Sequence, residues 1–231
     1  NPTGSVPAPA ASANVRGAAV TVSSDSTDAG SGVASAQFQR SPAGAGTWTN
    51  IGAADTTSPY AATWDTTLVA DGLYDLRVIT TDNAGNSFTS ALVTNVRVDN
   101  TNPTGSVTAP AASANVRGTT VSVTSDSTDA GSGVASAQFQ RSPAGLATWT
   151  NLGAADTTSP YAVSWDTTLV TDGLYDLRVT TTDNAGNSFT SALVTNVRVD
   201  NTNPTSTTTF PAASTSYNAA GYIAGCSTPA V

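Results

Sequence analysis

The sequence predicts an all-β fold, two β-sandwiches in tandem, and three observations carry that expectation. The chain repeats itself at a constant offset: NPTGSV, PAASANVRG, DGLYDLRV and TDNAGNSFTSALVTNVRVDNTNPT each occur twice. Residues 1–101 and 102–202 match at 89 of 101 positions without insertion or deletion, so each stretch reads as one structural unit. Within a unit, short runs alternate apolar and polar side chains, and nothing sustains a 3.6-residue period. Clusters of Gly, Pro, Asp and Asn punctuate the runs as turns do.

The elements follow in order. Residues 18–24 (AAVTVSS) set Val20 and Val22 on one face. Residues 33–40 (VASAQFQR) turn Ala34, Ala36 and Phe38 inward and Ser35, Gln37 and Gln39 outward. Residues 47–51 carry Trp48, and residues 60–64 alternate Tyr60, Ala62 and Trp64. Residues 73–80 set Tyr74, Leu76 and Val78 against Asp75 and Arg77. Residues 88–98 read as one long strand ending in Val96 and Val98. About seven short strands in ~100 residues is the pattern of an immunoglobulin-like Greek-key sandwich. The segment DGLYDL at 71–76 has the form of a tyrosine corner, with the Tyr74 hydroxyl bonding backbone just upstream and Leu76 inward. Tyr175 and Leu177 repeat it.

SGVASAQFQ, the Trp48…SPYAATWDTT block, ADGLYDLRV and TDNAGN followed by VDNTNPT together resemble bacterial Ig-like repeats, the tandem modules of large surface proteins and adhesins. The resemblance spans residues 1–202. It implies sandwiches used outside the cell as spacer, stalk or binding module, and it brings no catalytic residues. The expected organisation is a repeat at 1–101, a second at 102–202, and at 203–231 the truncated start of a third. The short linker between Val98 and Pro103 predicts limited rotation and an extended array. The single cysteine, Cys226, lies in the third stretch, and its expected partner lies beyond the sequence.

Composition narrows the function. All 16 acids are Asp, all 8 bases are Arg, and there is no His. His-based triads, His-ligated zinc and lysine Schiff bases are therefore excluded. A net charge of −8 argues against a nucleic-acid partner. No run of ~20 apolar residues exists to span a membrane. An Asp pair acting as a glycosidase needs two carboxyls in a cleft, and nothing in the sequence suggests one.

Asp spacing is the one chemical signal. In such a sandwich the loop between the second and third strands, the last hairpin loop and the chain entry share one end. For the second repeat that end collects Asp126 and Asp129, Asp183 and Asn184, and the linker residues Asp99, Asn100 and Asn102. Hard oxygen ligands from separate loops suit Ca²⁺, which takes six to eight oxygens. The competing reading is turn chemistry, with Asp82, Asn83, Asp99 and Asn100 in Asx turns and Pro103 fixing the entry of the next strand. Asp65 is expected to cap a short turn, and Asp71 to form the turn before Tyr74. Arg40, Arg77 and Arg97 are expected to pair across strands with Asp75. Phe38, Tyr60 and Trp64 read as core and Trp48 as partly exposed, against the alternative of a sugar-stacking surface.

The expected function is a non-catalytic stalk or spacer of a bacterial extracellular or surface-attached protein, presenting other domains or mediating adhesion. It requires no cofactor, and Ca²⁺ at the junction is the one candidate. Its partners are neighbouring repeats. Two alternatives stand beside it: a module binding glycan or protein, and a filament subunit whose 203–231 segment pairs with a like chain.

Overall fold

A computed structural model describes residues 1–207. Asn1–Asp200 form one compact unit, and a second unit begins at Asn201. Of that second unit only residues 201–207 are described, and they carry no strand. The expectations for a third repeat, for strand exchange by 203–231 and for Cys226 fall mainly or wholly outside the described residues.

The first repeat holds β1 (Asn14–Val15), β2 (Val20–Ser23), β3 (Val33–Pro42), β4 (Thr49–Asn50), β5 (Ala61–Trp64), β6 (Gly72–Asp82), β7 (Ser87–Thr89) and β8 (Val93–Val98). The larger sheet runs β1-β8-β6-β3-β4, with β7 also on β6, and β2 and β5 form the facing sheet. The second repeat continues with β9 (Val107–Ala109), β10 (Asn115–Val116), β11 (Val121–Ser125), β12 (Val134–Pro143), β13 (Thr150–Asn151), β14 (Ala162–Trp165), β15 (Gly173–Asp183), β16 (Ser188–Thr190) and β17 (Val194–Val199). Its sheets are β10-β17-β15-β12-β13, with β16 on β15, and β14-β11-β9.

Alternation places the cores. Val22, Ala36, Phe38, Trp64, Leu76, Val78 and Val96 are buried between the sheets of the first repeat. Val123, Phe139, Trp165, Leu177 and Val179 are their counterparts in the second. The tyrosine corner forms in both copies: the hydroxyl of Tyr74 donates to Ala70 O, and that of Tyr175 to Thr171 O, each at 2.9 Å. Asp65 caps the 3₁₀ turn Thr66–Leu68, accepting from the Thr67 N–H at 2.9 Å.

Two expectations change, and one strand is added. Residues 88–98 are two strands, because the Ser90 hydroxyl takes the Val78 N–H at 3.1 Å and donates to Ala91 O at 2.8 Å, interrupting the ladder. Strand β1, whose two residues give no periodic signal, pairs parallel with β8 through Asn14↔Arg97 and Val15↔Val98. Asp75 does not pair with arginine: it is buried and accepts the N–H groups of Gly44 at 2.9 Å and Asn95 at 3.2 Å. Arg77 instead stacks on Trp48, with 4.0 Å between guanidinium carbon and ring centroid, and its Nε donates to Gln39. That stacking covers one face of the half-buried Trp48 and counts against the sugar-stacking reading.

One substitution between the copies is structurally visible. Pro7, which has no N–H, stands where the second repeat has Thr108. The second repeat forms the three-residue β9 there, whereas the first shows only an isolated bridge, Ala8↔Ser23.

Candidate functional site

The site lies where the first repeat hands the chain to the second. Strand β8 closes with Val98 in the core, and the Asp99 N–H donates to Val15 O at 3.1 Å, prolonging the pairing of β1. The next side chain then belongs to the other repeat. Asp99 is 0% exposed. Its Oδ2 accepts the Ser132 N–H at 2.6 Å, and its main-chain oxygen accepts from Asn187 Nδ2 at 2.9 Å.

Two turns of the second repeat receive it. The turn after β11 carries Asp129, whose Oδ2 accepts the Gly133 N–H at 2.7 Å. The turn after β15 is closed by Asp183, whose Oδ1 accepts from the N–H groups of Ala185 and Asn187 at 2.9 and 2.8 Å. Asn184 clamps the two turns together, donating to Ser132 O and Gly133 O at 2.9 Å each. Ligand oxygens of Asp99, Asp129 and Asp183 consequently lie within 4.8 Å of one another, with Asp99 and Asp183 buried.

The remaining expected residues go elsewhere. Asn100 faces back into the first repeat: its Oδ1 accepts the Gly17 N–H at 2.8 Å, and its Nδ2 donates to Thr66 O at 3.1 Å. Asp126 is occupied by the backbone and hydroxyl of Ser106, which hold its carboxyl below the usual range, the backbone bond first. Asn102 is exposed and borders a cleft of about 470 Å³ beside Asp99 and Asp129. The six-residue set therefore narrows to three carboxylates. Asn100 and Asp126 are committed to residues distant in the chain rather than to turns of their own, and at Asp183 the turn and metal readings describe the same side chain.

Three junction residues escaped the sequence reading. Asp71, expected only to form a turn, anchors the linker by accepting the Asn100 N–H at 3.0 Å and the Thr101 hydroxyl at 2.7 Å. Burial raises its pKa, but those bonds outweigh it and the net shift is downward. Arg16 of the first repeat donates to Asn187 Oδ1 at 3.4 Å, and Asn187 is 4% exposed. Repetition in the sequence hides the role of Asn187, whose counterpart Asn86 is exposed.

The donor set at the cluster is oxygen only, which fits a hard cation such as Ca²⁺ rather than zinc. With one ligand oxygen from each, the three carboxylates supply half or fewer of the six to eight oxygens Ca²⁺ takes, so water would complete the shell. Elsewhere on the described surface, clefts beside Trp64 and Trp165 occupy matched positions in the two copies. No helix among the described residues is long and apolar enough to cross a membrane.

No curated protein matches the chain. Among solved structures, the fibronectin(III)-like modules of CbhA from Clostridium thermocellum superpose with a TM-score of 0.53 at 21% identity, covering 86% of this chain and 94% of that one. A tetra-tandem repeat from the extending region of a large adhesion protein scores 0.35 at 18% identity, covering 87% of this chain and 50% of the other. A Ca²⁺-stabilized adhesin with which an Antarctic bacterium binds ice scores 0.38 at 21% identity, covering 86% and 48%. At these identities the CbhA likeness concerns the fold alone. The bacterial Ig domain model matches residues 2–78 and again 103–179, and the chain belongs to that family, in two tandem copies.

Proposed function

We propose that the chain is a non-catalytic stalk segment of a bacterial extracellular or surface-attached protein, built from repeats at 1–101 and 102–202 with the start of a third at 203–231. The observation that carries this reading is the junction. The linker spends its polar groups on joining repeats: Asn100 and Thr101 are bonded to the first, and Asp99 is buried in the second. Residues that hold neighbouring units together serve a spacer, whereas a binding module keeps its loop ends free. The shared loops of the two copies point the same way, since a recognition surface gains from divergence. Ca²⁺ between Asp99, Asp129 and Asp183 belongs to the proposal, as the counter-charge that lets three carboxylates share one end of the sandwich.

Pulling single molecules of the chain by its ends tests the reading. A stalk unfolds in two matched events, each releasing on the order of 300 Å of contour for ~100 residues at ~3.6 Å per residue. Force resistance absent from both repeats, together with glycan binding at micromolar Kd on an array, would replace the stalk by the binding module.

A further inference from the structure

The open side of each sandwich carries a cleft that the stalk reading leaves unused. In the first repeat it measures about 210 Å³ and lies where the edges of the two sheets part, between β4 and β5. Arg40, Asn50, Thr63, Trp64, Asp65 and Leu68 line it. The second repeat has the same cleft, about 240 Å³, at Arg141, Trp165 and Leu169. The clefts stay open whichever neighbour a repeat has. Leu68 is 80% exposed with the second repeat following it, and Leu169 is 81% exposed with the first repeat preceding it.

The donors of the cleft lack acceptors. Trp64 is 2% exposed, and its Nε1, which can only donate, is buried without a hydrogen-bond partner. The same holds for Trp165. Buried polar groups are almost always paired, so an orphan repeated in both copies calls for an acceptor that the chain does not supply. Arg40 is half-buried, its guanidinium carbon 5.8 Å above the ring of Tyr74, and no acceptor among the described residues bonds it. Arg141 stands over Tyr175 in the same way, at 5.7 Å. Asp65 shares the cleft but commits Oδ1 to the N–H and hydroxyl of Thr67. Asn50 accepts from Gln39 through Oδ1, which leaves its amide N–H groups as donors.

The edge of β5 adds backbone. The Ser24 N–H donates to Tyr60 O, so Tyr60, Ala62 and Trp64 turn their backbone groups toward β2, and Ala61 and Thr63 turn theirs to the open edge. Asp55 takes the Ala61 N–H at 2.8 Å, and nothing among the described residues takes that of Thr63.

We propose that each cleft is a docking site for an extended acidic peptide segment of a partner protein. The segment pairs with Thr63 at the β5 edge, sets a Glu or Asp carboxylate on Arg40 and Trp64 Nε1, and rests an apolar side chain on Leu68. The planar guanidinium fork fits a carboxylate, and a single negative charge suits a cleft that already holds Asp65, where a dianionic phosphate would be repelled. The volume falls below the roughly 300 Å³ of small-molecule sites, so the cleft takes one side chain rather than a whole ligand. A peptide is favoured over a sugar acid because Trp64 is buried and offers no ring face for stacking. The contact rests on main chain and one ion pair, so identical repeats multiply the sites without needing to diverge.

Proton–nitrogen correlation spectra of the isotopically labelled full chain provide the test, since each of the four Trp residues gives one indole signal. Trp64→Phe and Trp165→Phe identify two of them. The probe is a blocked octapeptide alternating Thr and Val with one central Glu, set against the same peptide carrying Gln. The Glu peptide is expected to shift the signals of Trp64 and Trp165 and not those of Trp48 and Trp149, with a Kd on the order of a millimolar or below. The Gln peptide is expected to bind on the order of tenfold more weakly, the worth of one charge-assisted hydrogen bond. Arg40→Gln is expected to remove the response at Trp64 and keep that at Trp165, with an unchanged Trp48 signal showing the first repeat folded. Equal binding of the two peptides, a Trp64 response that survives Arg40→Gln, a response to sodium glucuronate as strong as to the Glu peptide, or no shift with any of them overturns the proposal. Each of these leaves the stalk reading intact, because the pulling experiment addresses the chain without a partner.

Discussion

Asp99 decides more than any other single residue. Its carboxylate shares 4.8 Å of space with those of Asp129 and Asp183, yet it is also the acceptor for the Ser132 N–H. Replacing it by Asn keeps an acceptor oxygen and removes the charge. In millimolar Ca²⁺ the wild-type chain should melt higher than in EDTA, since a ligand at a hundred times Kd adds ~2.7 kcal/mol to the folded state. For a domain of ~100 residues that is a rise on the order of 10 °C in differential scanning calorimetry. Asp99→Asn should melt in EDTA no lower than wild type, because it relieves repulsion, and should gain little from Ca²⁺. Equal melting of the wild-type chain in the two solutions would end the calcium proposal. The residue types at this end were legible because hard donors cluster in three loops that the fold brings together. Which of them meet was not. Asn100 follows Asp99 directly, yet its side chain turns back to Gly17 and Thr66 of the first repeat while the Asp99 carboxylate turns to Ser132 of the second.

At the scale of elements, alternation gave the strand faces and failed where backbone groups are served by side chains. The run 88–98 has uninterrupted strand character in its residues, but the hydroxyl of Ser90 replaces a ladder partner for Val78 and separates β7 from β8. A serine in a polar-apolar pattern reads as an outward residue, so the break leaves no periodic trace. Strand β1 is missed for a related reason: two residues carry no period, and its pairing partner lies 83 residues away. Ser90→Ala leaves the Val78 N–H buried without its partner. The expected cost is about 1–3 kcal/mol, the usual desolvation penalty of an orphaned buried group. Chemical denaturation should show a lower midpoint with an unchanged slope, the first repeat unfolding before the second. A midpoint equal to wild type would mean that water reaches Val78 and that the hydroxyl is dispensable. Ser191 makes the same bond to Val179 at 3.1 Å and serves as the matched control in the second repeat.

The whole molecule carries its charge as carboxylates that are mostly committed to backbone. Asp25 lies below the ordinary carboxylate range through its bonds from the Ser5 hydroxyl and N–H. Asp55 and Asp156 are lowered by the N–H groups of Ala61 and Ala162 respectively, Asp82 by the Asn86 side chain, and Asp126 by the Ser106 backbone. Asp71 is raised by burial and lowered further by Thr101 and Asn100. A carboxyl whose folded pKa is depressed binds a proton less readily when folded, so the unfolded chain takes up more protons as acid is added. Stability from these six groups is therefore fully present above the unfolded value of ~3.9 and is lost as pH falls through the lower folded values. With no His, no side chain has an ordinary pKa between about 5 and 8. Melting followed by circular dichroism in millimolar Ca²⁺ should accordingly show a plateau over that interval and a steep fall below about pH 4. Because four of the six groups form matched positions in the two repeats, Asp25 with Asp126 and Asp55 with Asp156, the fall should be steeper than one repeat alone would give. A melting temperature that holds steady down to pH 2 would show that these bonds persist with protonated carboxyls and that the acidic surface contributes solubility rather than fold.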